Sequence, residues 1–208
     1  MLIESFVLND LGTNCYVVAA HEGGPCAVID PCAVDMSPVF QYIEQYNLTI
    51  THIINTHWHG DHVAGNEAIR DASAAPVYMH EIDAAYLPQA EKQLWFFLGV
   101  KQHLRPVDCK VREGDKIQVG DLTFEVIHTP GHSAGGMTLA VDGCLFTGDT
   151  LMAGTIGRTD LPGGSFADIM HSIQEKILAY PDETVIYPGH GGSSTLAEEK
   201  MLNPFLQM

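Results

Sequence analysis

Basic residues and long apolar runs are scarce in this chain. Only 10 of its 208 residues are lysine or arginine, against 26 aspartates and glutamates, so the formal net charge is −16 at pH 7. A protein this acidic repels an extended phosphate backbone, and no cluster of basic residues interrupts the acidic character. No uninterrupted apolar run reaches the roughly 18 residues that suggest a transmembrane helix. We therefore expect neither nucleic acid nor membrane as a partner.

Cysteines are also few, and their spacing indicates no disulfide framework. The five form an odd, scattered set without a C-x-x-C motif: Cys15, Cys26, Cys32, Cys109 and Cys144. Such a set is typical of buried thiols in a reducing compartment. Residues 1–6 lack the basic segment and apolar core that begin a signal peptide. We therefore expect a cytoplasmic protein.

Length and composition agree with a single domain over residues 1–208. A chain of 208 residues that is 46% hydrophobic can bury a full core. Layered α/β structures slightly above this length are often single domains. No linker rich in glycine and serine separates two cores. The sequence indicates no oligomeric state.

The most informative motif is a cluster of histidines in a short loop. Residues 56–62 read T-H-W-H-G-D-H and follow the apolar run 50–55. Histidines two positions apart on an extended loop can turn both rings to one point. Asp61 and His62, further round the turn, face a second point roughly 3.5–4 Å away, as in two-metal hydrolytic centres. A polar turn with solvated histidines is the alternative, but four ligand residues at this spacing favour a metal site.

Further ligand residues follow three other predicted strands. His132 lies on a turn built by proline and glycine after the alternating segment 122–127. Asp149 follows the apolar run 144–147, and His190 follows the run 184–187. Imidazole and carboxylate ligands suit zinc, iron or manganese, and no cysteine among these positions indicates a softer ion.

In order and spacing, these motifs resemble the ligand motifs of the metallo-β-lactamase superfamily. The matching segments are T-H-x-H-x-D-H at 56–62, P-G-H-S at 130–133, G-D-T at 148–150 and P-G-H-G at 188–191. The resemblance implies two divalent transition metal ions, zinc being expected before iron or manganese. It places His57, His59 and His132 on one ion and Asp61, His62 and His190 on the other, with Asp149 bridging. It also implies a catalytic role for Asp61 and Asp149.

Within the superfamily, the chain looks most like the glyoxalase II-type hydrolases, particularly their short bacterial relatives. These relatives carry a G-R-T-D-L-P-G-G segment after G-D-T, which here spans residues 157–164. Arg158 corresponds by position to a basic residue near the thiol-bearing half of the glyoxalase II substrate; a salt bridge to Asp160 is the alternative. Residues 195–208 are too few for the glutathione-binding helical C-terminal domain of full-length glyoxalase II. The thiol of the substrate is therefore left open.

The predicted elements follow an order that suits two stacked sheets. Strands are expected near 2–8, 14–20, 26–30, 50–55, 76–79, 107–111, 116–119, 122–127, 137–141, 144–148 and 184–187. Helices are expected at 37–47, with Ser37 as N-cap, and at 62–72 and 165–179, with further helical structure from about 81 to 99. This order and the resemblance both favour the α/β class and a four-layer αββα sandwich, the metallo-β-lactamase fold.

Two closely held ions predict a hydrolytic reaction. Zinc lowers the pKa of a bound water from 15.7 to about 7, so a metal-bridging hydroxide can attack a carbonyl at neutral pH. No residue is assignable as a proton donor for the leaving group. A thiolate leaves as an anion without one, because its thiol has a pKa near 8.5. We therefore expect hydrolysis of a small acyl thioester such as S-lactoylglutathione.

Three other functions stay open. A mononuclear iron dioxygenase acting on glutathione persulfide shares the G-R-T-D segment and uses two histidines and a carboxylate. That branch generally has a cysteine where this chain has Ile156. A β-lactam amide is a further substrate for the fold, although members with that activity usually differ in the second-site ligands. A catalytically silent metal-binding protein is disfavoured because all seven ligand positions are filled.

Other residues near the ligands have structural roles as alternatives. Asp30 ends a predicted strand, and we expect it to fix a loop near the metals. His128 is expected to be structural or to hydrogen-bond a metal ligand, and His80 to be an ordinary polar residue. The apolar segment 93–99 is compatible with a pocket wall, a subunit contact and core packing.

Overall fold

Fourteen strands are present in a computed structural model that describes residues 1–207. They are β1 (Leu2–Val7), β2 (Asn14–Ala19), β3 (Pro25–Ile29), β4 (Thr49–Ile54), β5 (Val77–His80), β6 (Cys109–Val111), β7 (Lys116–Val119), β8 (Leu122–His128), β9 (Met137–Val141), β10 (Cys144–Gly148), β11 (Leu151–Met152), β12 (Thr155–Ile156), β13 (Val185–Pro188) and β14 (Ser194–Thr195). The first sheet has the order β1-β2-β3-β4-β5-β6, and the second has the order β14-β13-β10-β9-β8-β7. Strands β11 and β12 form a separate hairpin.

Helices connect and cover these strands. They are α1 (Ser37–Gln45), α2 (Gly60–Val63), α3 (Asn66–Ser73), α4 (Glu81–Ala84), α5 (Leu87–Leu98), α6 (Phe166–His171) and α7 (Leu196–Leu202). A π-helical turn, Ser172–Ile177, continues α6, and a 3-10 turn, Pro204–Leu206, follows α7. No helix within residues 1–207 has both the length and the apolar character needed to cross a membrane.

The two sheets pack face to face, with helices on both outer faces. Strand β2 is buried along its whole length because alternate side chains face different layers. Val18 packs between the sheets with Phe124 and Phe146 of the second sheet. Val17 packs on the outer side with Val39 of α1. The outer side of the second sheet is covered by α6 and the turn that continues it. This arrangement confirms the predicted four-layer αββα metallo-β-lactamase fold.

The topology brings the predicted ligand loops to one edge. Strands β10 and β13 are parallel, and β9 runs antiparallel to both β8 and β10. The carboxyl ends of β8, β10 and β13 therefore point the same way. The first sheet meets this edge where Met137 N donates to Thr56 O at 2.9 Å. The loops after β4, β8, β10 and β13 consequently converge.

Two details of the predicted helices are wrong. The N-cap of α1 is Met36, not Ser37; the hydroxyl and backbone N–H of Ser37 both donate to Asp35 Oδ1 just before the helix. The segment 62–72 is not one helix but α2 and α3, and between them Gly65 N donates to Pro31 O at 2.7 Å. That contact ties the interruption to the loop after β3.

Candidate metal centre

The histidine-rich loop after β4 is held in a defined conformation. His59 is the extended N-cap residue of α2, and Asp61 lies in the first turn of that helix. Asn55 Nδ2 donates to His62 O at 2.9 Å, closing the loop over its own start. The local sequence therefore directs the side chains of His57 and His59 to one side and those of Asp61 and His62 to the next turn.

Site 1 consists of His57, His59 and His132. One nitrogen from each ring lies within 4.8 Å of the others, and all three residues are buried. Nδ1 of His59 and Nε2 of His132 are 2.8 Å apart. Nδ1 of His132 donates to the carbonyl oxygen of Arg158 at 2.8 Å. That bond leaves Nε2 of His132 unprotonated and directed at the other two rings.

Site 2 consists of Asp61, His62 and His190. Oδ2 of Asp61 lies 3.4 Å from Nε2 of both histidines. The backbone around His190 is fixed by β2, because Asn14 N donates to Gly189 O at 2.7 Å. The side chain of His190 is 27% exposed, whereas that of His62 is completely buried. Site 2 therefore meets solvent on the His190 side.

Asp149 lies between the two sites. Its Oδ2 is 3.4 Å from His132 Nε2 in site 1 and 3.5 Å from His190 Nε2 in site 2. Its Oδ1 is 3.4 Å from His62 Nε2. The carboxylate of Asp149 can lie here because residue 189 is a glycine. A Cβ on residue 189 would lie 2.1 Å from Asp149 Oδ1. The structure thus brings together all seven residues for which the sequence predicts a metal-binding role, with Asp149 where a bridging ligand is expected.

The polar atoms of this cluster fit a metal. Among the atoms that face the two sites, three buried ones have no hydrogen-bond partner: Nε2 of His57, Nε2 of His62 and Oδ1 of Asp149. An unsatisfied buried polar atom costs roughly 1–3 kcal/mol, so three in one place fit the ligands of a metal ion. Neutral imidazoles and carboxylates are the forms that divalent transition metals bind.

The charges of the cluster support the same interpretation. Burial, reinforced by neighbouring histidine rings, lowers the pKa of His59 to about 3 and lowers that of His57 as well. Burial would also lower the pKa of His62, but Asp61, Asp149 and Asp30 outweigh it and raise the pKa to about 9. Hydrogen bonds to the carboxylates similarly raise the pKa of His190 to about 10 against the effect of burial. In site 2, protons therefore occupy positions that a cation would take.

Asp30 holds the loop from behind. Its carboxylate accepts hydrogen bonds from Thr56 N at 2.7 Å, Thr56 Oγ1 at 2.6 Å and His62 Nδ1 at 2.9 Å. It is close enough to His57 and His62 to form a third potential ligand set. However, it faces Nδ1 of His62, the ring nitrogen directed away from Asp61. This geometry agrees with the predicted loop-fixing role.

Arg158 lies next to the centre but its side chain is engaged elsewhere. Nε and Nη2 of Arg158 donate to the two carboxylate oxygens of Asp160, both at 2.7 Å. Its backbone oxygen accepts from His132. The structure therefore shows the salt bridge that the sequence left as the alternative, and a contact between Arg158 and substrate stays a prediction.

Of the other histidines, His128 has the structural role that was one of its two expected roles. It bonds no metal ligand, and its Nε2 donates to Ala134 O at 3.0 Å. Its ring stacks on His80, with centroids 4.1 Å apart and planes 9° from parallel. His80 is thus buried, and its treatment as an ordinary polar residue was wrong. In the apolar segment of α5, Leu94 is buried but Phe96 is 79% exposed, so core packing does not account for the whole segment.

Sequence reasoning missed Asp83. This residue of α4 is completely buried. Burial raises the pKa of its carboxyl to about 6, although hydrogen bonds from Ser133, Gly135 and Trp58 oppose the shift. No motif surrounds it, and its hydrogen-bond partners are 25 to 52 positions away in the sequence.

The family of the chain is shown by comparison with known proteins. Residues 8–190 match the model of the metallo-beta-lactamase superfamily. With its His/Asp metal-binding groups, the chain belongs to this superfamily of metallo-hydrolases.

Relatives of this chain differ in how much of each sequence the match covers. An uncharacterized protein of Mycobacterium leprae is 38% identical, over 100% of this chain and 99% of the relative. A probable metallo-hydrolase of Bacillus subtilis is 33% identical, over 93% of this chain and 92% of the relative. A hydroxyacylglutathione hydrolase of Rhodospirillum rubrum is 36% identical over 84% of this chain, which spans 60% of that enzyme.

Solved structures show the same architecture. The BLEG-1 B3 metallo-beta-lactamase superposes with a TM-score of 0.91 at 32% identity, covering 100% of both chains. TTHA1623 in a di-iron-bound form gives a TM-score of 0.86 at 32% identity, covering 98% of this chain and 100% of that one. ETHE1 from Myxococcus xanthus gives 0.83 at 28% identity, covering 98% and 84%.

Proposed function

We propose that this protein is a binuclear metallohydrolase that cleaves small acyl thioesters. The observation that carries the proposal is the pair of ligand sets, site 1 and site 2, with Asp149 within 3.5 Å of histidines from both. Two divalent ions at these sites would supply a water of lowered pKa and polarise the substrate carbonyl. Zinc is the first candidate; iron is consistent with the di-iron form of TTHA1623.

The residues of the chain set the geometry for that chemistry. Asp149 would fix the separation of the two sites, and Asp61 would hold the site 2 side with help from Thr13, whose Oγ1 donates to Asp61 Oδ2 at 2.7 Å. The backbone oxygen of Arg158 orients His132, and Asp30 orients His62. Contacts of this kind fix the orientation of each ring, so that the other ring nitrogen faces the position where the metal would bind.

The absence of a positioned acid favours a thioester over an amide. Among residues 1–207, the buried carboxyl groups behind the loops are already engaged: Asp30 accepts from Thr56 and His62, and Asp83 accepts from Trp58, Ser133 and Gly135. Neither contacts solvent appreciably. A thiolate leaves without protonation, whereas an amine requires it.

The identity of the thiol is the finer part of the proposal. The relation to a hydroxyacylglutathione hydrolase supports a glutathione thioester such as S-lactoylglutathione. The pairing of Arg158 with Asp160 occupies Nε and one N–H of Nη2 and offsets the charge of that guanidinium, so its remaining N–H groups offer only a secondary contact for a substrate carboxylate. We therefore propose that the acyl thioester, rather than the glutathione carboxylates, is the main determinant recognised. The cytoplasm, where such thiols stay reduced, is the proposed location.

β-Lactam hydrolysis is a second candidate, favoured by the likeness to the BLEG-1 B3 metallo-beta-lactamase. An iron dioxygenase acting on persulfide is a third, supported by the G-R-T-D segment at 157–160. It requires a single iron and consumes oxygen, which separates it from both hydrolases.

The test is a substrate panel on the purified, metal-loaded protein. S-Lactoylglutathione, a thioester of a different thiol, a chromogenic β-lactam and glutathione persulfide with an oxygen electrode form its four arms. Thioester hydrolysis without oxygen uptake, lost in His59→Ala, is the expected result. Oxygen uptake, lactam cleavage alone, or turnover unchanged in His59→Ala would contradict the proposal.

A further inference from the structure

The carboxylate of Asp83 joins the two loops that form site 1. One oxygen accepts from Trp58 N at 3.2 Å and Ser133 Oγ at 2.7 Å. The other accepts from Gly135 N at 2.5 Å. We propose that Asp83 is the positioning residue of site 1: it binds no metal but holds His57 and His59 in register with His132.

The partners of Asp83 lie beside the ligands in the chain. Trp58 separates His57 from His59 in the loop after β4, which belongs to the first sheet. Ser133 directly follows His132 in the loop after β8, which belongs to the second sheet. A single buried side chain therefore connects the backbone of one ligand loop to the other, across the boundary between the sheets.

The loop after β8 is shaped to allow this contact. A Cβ at position 135 would lie 2.5 Å from Asp83 N and 2.6 Å from its Oδ1. Only glycine lets the backbone N–H of residue 135 approach the carboxylate so closely. At Gly136, the second glycine of the segment H-S-A-G-G, the nearest atoms to a Cβ would instead be Thr129 O at 3.0 Å and Ser133 Oγ at 3.2 Å. Of the two glycines, Gly135 is therefore the one that the contact with Asp83 requires.

A carboxylate is required because all three partners donate. The amide of an asparagine has the same shape but offers one acceptor oxygen and one NH₂ donor. If its oxygen faces Gly135 N, the NH₂ group meets the N–H of Trp58. If its oxygen faces Trp58 N, the NH₂ group meets the N–H of Gly135. Either orientation leaves a buried backbone N–H unpaired and moves one ligand loop away.

A neighbouring contact shows what Asp83 adds. Gln93 of α5 also binds the first ligand loop, since its Oε1 accepts from Gly60 N at 2.8 Å. Gln93 touches no residue of the loop after β8 through a hydrogen bond. Helices α4 and α5 therefore hold the first loop at the N–H groups of Trp58 and Gly60, and of the two side chains that accept these bonds, Asp83 is the one that also accepts from the loop of His132.

The inference rests on the metal-binding part of the proposed function and on none of its substrate chemistry. Its test is accordingly zinc binding, measured by competition with a chromophoric chelator. His190→Ala removes a ligand from site 2, so zinc affinity in that background reports on site 1. His132→Ala removes a ligand from site 1, so zinc affinity in that background reports on site 2.

Asp83→Asn is expected to weaken zinc binding about 10- to 100-fold in the His190→Ala background, the range seen when a group behind a ligand is lost. It is expected to change zinc binding less than about 2-fold in the His132→Ala background. Glu199→Gln is the matched control, because Glu199 is buried and accepts from Gly154 N and Asn203 Nδ2 without contacting either ligand loop. This control should leave both affinities unchanged.

Equal weakening of both sites, unchanged affinity at site 1, or the same loss in Glu199→Gln would overturn the inference. Should Asp83→Asn fail to fold by circular dichroism, Ser133→Ala decides the question. That variant removes one of the three hydrogen bonds and is expected to weaken site 1 alone, by a smaller factor. Unchanged zinc affinity at site 1 in Ser133→Ala would then overturn it. Failure of thioester hydrolysis in the wild-type protein would affect the proposed function and leave this result intact.

Discussion

Gly189→Ala tests whether the position of Asp149 between the two sites is needed. The new Cβ would lie 2.1 Å from Asp149 Oδ1, against the 3.4 Å at which ordinary van der Waals contact begins. One of the two must therefore move by about 1.3 Å. It would also lie 2.8 Å from Cε1 of His62, which blocks retreat in that direction. The displaced group is expected to be the carboxylate of Asp149.

The expected consequence is a large loss of activity with a folded chain. A misplacement of about 1 Å in a reacting constellation costs on the order of 10²-fold in rate. We therefore expect kcat for the thioester to fall about 100-fold and the second metal ion to bind more weakly. Steady-state kinetics and metal content by mass spectrometry measure the two effects.

Gly192→Ala is the matched control for this experiment. It lies three residues further along the same loop, and a Cβ there meets no atom within 4 Å. It is expected to retain wild-type kinetics and two metal ions. Wild-type activity in Gly189→Ala, or an equal loss in Gly192→Ala, would refute the reasoning.

Three further predictions concern the metal ligand His59, the pH dependence of zinc binding, and the ion pair of Arg158 with Asp160. His59→Ala should lose one of two bound ions and its turnover, as measured by metal analysis; two ions at full occupancy would contradict the assignment. Because His62 and His190 have pKa values raised to about 9 and about 10, zinc must displace their protons near pH 7, so zinc affinity should rise with pH up to that range. Calorimetry in buffers of different ionisation enthalpy should detect about two protons released, and none would contradict it. Arg158→Ala should raise KM for a glutathione thioester with kcat unchanged, and Asp160→Ala, which frees the guanidinium, should lower it; an unchanged KM in both would assign Arg158 to its ion pair alone.

The convergence of the candidate ligand residues could be predicted because each belongs to a short motif at the end of a strand. The segment at 56–62 contains four of them in seven positions, and the others follow apolar runs whose strand character is evident. Strand order then brings the loops to one edge, as the parallel pairing of β10 and β13 shows. Local pattern and topology were sufficient here.

Asp83 could not be predicted, since its role depends on contacts that no local pattern encodes. Its partners Trp58 and Ser133 are 25 and 50 positions away. The stacking of His80 on His128 likewise joins strands of different sheets. The division of 62–72 into two helices has the same kind of cause, a contact between Gly65 and Pro31 from another part of the chain. In each case tertiary packing decides the outcome over local propensity.

The most direct test of the central claim is the metal content of protein purified without chelators. Seven residues arranged as two sets with Asp149 between them predict two transition metal ions per chain, and one ion in His190→Ala. A single ion or none in the wild-type protein, under conditions of metal excess, would contradict a binuclear centre.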